Sequence, residues 1–153
     1  MKLKITLFSL FIALILSSFI IKQEGTPLDG TWELKEYNYG GNKGSNPSPR
    51  NVKMFADGKF GFYLLSPNGA RKTTDGTFMV LDSNYYTETI VDAVNKPMIG
   101  KTYKIKYQIK DSLLIMGGTY DSPSGVVSYS EIWVKVNPKI IASLGKPSGL
   151  MNN

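Results

Sequence analysis

Between Asp29 and Asn137 the sequence breaks into eight short segments rich in β-branched and aromatic residues, each closed off by turn residues. The segments are Asp29–Tyr39, Arg50–Ala56, Lys59–Ser66, Ala70–Asp82, Tyr85–Val91, Lys101–Ile109, Ser112–Tyr120 and Val126–Val136. Asp57-Gly58 and Asn68-Gly69 are strong hairpin signals, because their backbones accept the positive φ that tight two-residue turns need. The clearest period lies in the sixth segment, where Tyr103, Ile105, Tyr107 and Ile109 alternate with Lys104, Lys106, Gln108 and Lys110. Such a strand has one apolar and one wet face, as in an antiparallel sheet lying on a core. No stretch of similar quality in this region has a helical period. The pattern predicts an all-β chain: an eight-stranded antiparallel up-and-down barrel, in which closure removes exposed sheet edges. A β-sandwich is the alternative, disfavoured because the hairpins run in series without a long Greek-key crossover.

The N-terminus reads differently. Lys2 and Lys4 precede Ile5–Ile21, a charge-free and almost wholly apolar run that ends at Lys22-Gln23-Glu24. A cationic start, an apolar stretch and a polar exit predict a signal peptide over residues 1–24, and hence a secreted or periplasmic protein. Ser17 and Ser18 lead into Phe19 rather than into a small-residue cleavage site, so an uncleaved membrane anchor is the alternative. The domain would then occupy residues 25–137, followed by a C-terminal tail, 138–153, in which Ile140–Leu144 has room for one helical turn.

Composition narrows the chemistry. The 153 residues include no Cys and no His. Disulfides, iron–sulfur clusters, thiol nucleophiles, Ser-His-Asp catalysis and the usual His-based zinc and copper sites are therefore out of reach. The formal charge of +6 falls to near +3 without Lys2, Lys4 and Lys22. That leaves no footprint for nucleic-acid binding. One carboxylate pair, Glu88 with Glu131, has the residue types for glycoside hydrolysis, but a domain of this size offers little surface for a polysaccharide cleft. No enzyme activity, metal or cofactor is expected.

Candidate site residues follow from strand phase, since alternate side chains of a small barrel point inward. If Trp32 and Trp133 are internal, Glu36, Glu131 and Lys135 come inward with them, and Glu88 shares a face with Tyr86. These charges either anchor a ligand in an aromatic pocket or form a buried pair, Glu131 with Lys135, that fixes register at one barrel end. For Glu88 an outward orientation is also open. The aromatic lining expected is Phe62, Phe78, Tyr86, Tyr103 and Tyr107, with Phe60 and Tyr85 as further core candidates. An eight-stranded barrel has room either for side chains alone or for one small ligand.

Leu28-Asp29-Gly30-Thr31-Trp32 resembles the G-x-W opening of lipocalin-type barrels. Gly76-Thr77-Phe78, Tyr86-Thr87-Glu88 and Glu131-Ile132-Trp133 are similar to segments of small secreted bacterial lipocalin-like proteins of the calycin type, largely uncharacterised. The resemblance spans residues 28–137. It implies an eight-stranded barrel whose large loop at the open end is Gly40–Pro49, and a basic residue against the first-strand Trp, where this chain offers Lys135 in place of the usual Arg. The expected function is binding of a small apolar or amphiphilic molecule without catalysis. The alternative is a filled barrel serving as a protein-interaction or envelope-structural module.

Overall fold

The computed structural model describes residues 25–122, 125–137 and 139. The expected signal peptide and the helical turn at Ile140–Leu144 lie outside the described residues. Nine strands form one antiparallel sheet: β1 (Gly30–Tyr39), β2 (Asn42–Ser45), β3 (Arg50–Ala56), β4 (Lys59–Ser66), β5 (Gly69–Val80), β6 (Tyr85–Ala93), β7 (Thr102–Lys110), β8 (Leu113–Ser122) and β9 (Gly125–Val136). Pairing runs β1-β3-β4-β5-β6-β7-β8-β9 and returns from β9 to β1, so eight strands close into a barrel. The sandwich alternative is thereby excluded.

Turn chemistry sets the meander. Asp57 and Gly58 sit at φ 51° and 70°, a two-residue loop between the paired Ala56 and Lys59. Asp82 Oδ1 accepts from the backbone N–H groups of Asn84 and Tyr85, turning β5 into β6. A short 3₁₀ turn, Lys96–Met98, lies in the β6–β7 connection.

The expected open loop Gly40–Pro49 contains structure. Asn42–Ser45 folds back as β2 on the upper half of β1, pairing Tyr37 with Gly44, while β3 pairs with the lower half from Gly30 to Glu33. Gly44 has no side chain, and the ring of Tyr37 crosses the space a Cβ would fill.

Strand phase is not constant along β1. Leu34 lies opposite Trp133 but Glu36 lies opposite Ile132, so Lys35 is an extra residue in a β-bulge. A one-residue bulge exchanges the inner and outer faces beyond it. Trp32 and Leu34 point inward, and past the bulge Tyr37 and Tyr39 do, leaving Glu36 exposed outside. The expectation that Glu36 shares the inward phase of Trp32 is therefore corrected.

Candidate functional site

The inward-facing residues fall into three levels, taken from the end where β1 begins. The lowest is dry and aromatic. Trp32 is 1% exposed and its Nε1 donates to the Leu28 carbonyl at 2.7 Å. Lys135 lies in the same cross-strand pair and carries its ammonium over the Trp32 ring, 5.1 Å from the centroid. Gly30, at φ 134°, lets the Lys135 stem pass, because a Cβ there would stand 2.8 Å from Cε. Phe55 packs edge-on against Phe78 at 5.0 Å and Tyr86 at 5.9 Å, and Tyr86 edge-on against Tyr107 at 5.6 Å. Such edge-to-face contacts suit the ring quadrupoles.

The middle level holds charge. Lys53 Nζ lies 2.8 Å from Glu88 Oε1, both side chains being almost fully buried. The Tyr86 hydroxyl stands 2.9 Å from the same oxygen, with Met116 Sδ also 2.9 Å away. The Lys53 ammonium is ringed by Phe55, Phe60 and Trp133 at 5.5–5.9 Å. A buried charge needs such a partner, and here the partner comes from a strand three places round the sheet.

This overturns one sequence expectation and adds a residue. Glu131 and Lys135 do not pair: Lys135 is exposed and seals the lower end through Trp32. The internal ion pair is Lys53 with Glu88, which faces inward. The sequence conceals the role of Lys53 because β3 carries apolar residues on both faces, Val52 and Met54 on one and Phe55 on the other. One signal was available. An inward Glu88 demands a cation, and Lys53 has the phase of Phe55.

The upper level, which we call the cup, is lined by half-buried side chains. Glu131 Oε1 accepts from the Tyr39 hydroxyl at 2.5 Å, and Oε2 accepts from Trp133 Nε1 at 2.9 Å. Above it, Tyr37 stacks on Tyr39 at 5.2 Å, Tyr39 meets Tyr129 at 6.3 Å, and Tyr129 meets Tyr120 at 6.2 Å. Gly118, opposite Tyr129 in the β8–β9 pair, gives that ring its seat. Phe62 lies edge-on to Trp133 at 6.1 Å on the far wall. Tyr37, Tyr39, Phe62, Tyr103, Tyr129 and Glu131 are half-buried rather than buried, and Tyr120 is 39% exposed. On the β6 wall Ile90 and Ala93 stay buried, where Met98 packs against the core.

Burial pushes the Tyr39 and Tyr129 phenols well above their ordinary range, and the Glu131 charge pushes them further. Burial likewise raises Tyr86, with Glu88 adding to it. These hydroxyls are donors at neutral pH. Of the aromatics expected from sequence, Phe78, Tyr86 and Tyr107 pack in the buried lower half, whereas Phe62 and Tyr103 are half-buried. Tyr85 faces outward, under the Lys104 ammonium at 4.5 Å. Two depressions, of about 580 and 530 Å³, open on the solvent side and rim of β1, β2 and β9.

Residues 27–143 match DUF4488, a domain of unknown function. The chain belongs to that family. The fold of this chain is similar to the crystal structure of a lipocalin-like protein from Bacteroides uniformis, with a TM-score of 0.51 and 18% identity over 71% of this chain and 98% of that one. It is equally similar to an uncharacterized protein from Bacteroides eggerthii, with a TM-score of 0.51 and 16% identity over 71% of this chain and 99% of that one. Among curated proteins none matches the sequence. The lipocalin-like barrel is thus shared, and the Gly30-Thr31-Trp32 opening with Lys135 over the Trp32 ring is how this chain closes its lower end.

Proposed function

We propose that this protein binds one small amphiphilic molecule in the upper half of its barrel, without catalysis, after export to the periplasm or cell exterior through its N-terminal signal. The observation that carries the reading is the change in exposure along the barrel axis. Most inward-facing residues below Glu131 are buried, whereas the tyrosines beside and above it are half-buried or, at Tyr120, exposed. An apolar floor, aromatic walls and a few convergent polar groups are what a small-molecule site needs. The non-catalytic reading draws support from Glu88. Its carboxylate is held by Lys53 and Tyr86, so it is no free partner for Glu131 in acid–base work.

A filled barrel acting as an interaction module is the second reading. It is favoured by the position of the 580 and 530 Å³ depressions, which lie at the rim and outer side of β1, β2 and β9. Native mass spectrometry of the protein purified from its own host separates the two. Ligand binding predicts a retained small molecule in one-to-one ratio, released on unfolding. A bare mass, together with failure to take up any fluorescent amphiphile, would leave the interaction module standing.

A further inference from the structure

Glu131 has no cation within ion-pair distance among the described residues; its two partners, the Tyr39 hydroxyl and the Trp133 indole N–H, are neutral. Each carboxylate oxygen can accept about two hydrogen bonds. Both oxygens of Glu131 therefore keep accepting capacity. The buried and half-buried inward-facing residues include one ammonium, Lys53, already held by Glu88, and a second carboxylate, Glu131, without a charged partner. Around that carboxylate stand Tyr37, Tyr39, Tyr129 and Tyr120, a continuous aromatic wall. Faces of aromatic rings attract cations, the more so where water is partly excluded.

From this juxtaposition, and resting on the ligand-binding reading above, we propose that the ligand is an organic ammonium ion. Its charged nitrogen meets Glu131, and its apolar portion lies against the tyrosines and Phe62. A carboxylate ligand finds the opposite environment at this depth. Arg71 on β5, which pairs with Leu64 and so shares its inward phase, is exposed to solvent.

The test is calorimetric titration of the full chain at pH 7 with three probes of one chain length: n-hexylammonium, hexanoate and 1-hexanol. The ammonium should bind about tenfold more tightly than the alcohol, with hexanoate weakest, a difference in keeping with one desolvated charge contact and cation–π attraction. Glu131→Gln should bring the ammonium to within about threefold of the alcohol while leaving the alcohol unchanged. Tyr37→Leu, at a half-buried position, should weaken the ammonium more than the alcohol, and it serves should Glu131→Gln fold poorly. Equal or tighter binding of hexanoate or hexanol by the unaltered protein would overturn the ammonium assignment yet keep the cup as a binding site, hexanoate pointing to Arg71. Binding of none of the three would remove both.

Discussion

Lys53 and Glu88 face each other across the barrel at 2.8 Å, one from β3 and one from β6, with Tyr86 and three aromatic rings around them. They fix the relative placement of two strands that share no backbone ladder. Their loss should be asymmetric. Removing one member strands a buried charge and typically costs about 3–5 kcal/mol, whereas replacing both by apolar groups of similar size is often close to neutral.

Lys53→Met and Glu88→Leu should each therefore destabilise by about 3–5 kcal/mol, and the double variant by much less than their sum. Urea denaturation of the four proteins measures this as a double-mutant cycle. Additive losses would mean that the pair is not coupled as its geometry requires.

Trp32 and Lys135 give a second, graded expectation. Trp32→Ala empties a fully buried site at the closed end and should cost about 3–5 kcal/mol. Lys135→Ala removes only an exposed ammonium and its stem from the ring, worth about 0.5–1 kcal/mol. Equal losses for the two would show that the closed end does not depend on the Trp32 ring.

Much of this fold was legible in the sequence, because its punctuation is local. Asp57-Gly58 and Asn68-Gly69 place turns by backbone chemistry, and the Tyr103–Lys110 alternation sets the phase of β7 without reference to any other strand. What failed did so where phase depends on a neighbour. The bulge at Lys35 turns Glu36 outward and brings Tyr37 and Tyr39 inward, so strand phase read from Trp32 holds only as far as Leu34. Glu131 and Lys135 share a phase in β9, yet only the three-dimensional ends of the barrel separate them: one meets the cup, the other seals the base. Nothing in β2 beyond its glycine hints that it would fold back on β1.

Gly76 tests close packing at another bulge. A Cβ at this position would fall on the carbonyl oxygen of Thr89 and press on the Phe60 ring. Neither the neighbouring strand's backbone nor a core ring can give way cheaply, so Gly76→Ala should destabilise by at least about 1–3 kcal/mol. A melting temperature unchanged by the substitution would contradict the close approach of β5 and β6 there.

The tyrosines predict a pH response. Burial raises Tyr39, Tyr86, Tyr107 and Tyr129 above the ordinary phenol value, with Glu131 adding to Tyr39 and Tyr129, Glu88 to Tyr86 and Asp82 to Tyr107. A folded-state value above the unfolded one gives stability that is complete below about pH 10 and is lost as pH rises beyond it. Followed by tyrosinate absorbance and circular dichroism together, these four should ionise only as the β spectrum is lost. Full ionisation of all nine tyrosines near pH 10 with the fold intact would contradict their placement.

The most direct measurement of the central claim is fluorine NMR of the protein labelled with 3-fluorotyrosine, titrated with whichever of hexylammonium, hexanoate and hexanol binds most tightly. Resonances are assigned by single Tyr→Phe changes. A ligand in the cup should shift Tyr37, Tyr39, Tyr120 and Tyr129 and leave Tyr86 and Tyr107, packed in the lower half, nearly still. Shifts confined to the outward-facing Tyr63 and Tyr85, or no shift at saturation, would contradict a ligand inside the barrel.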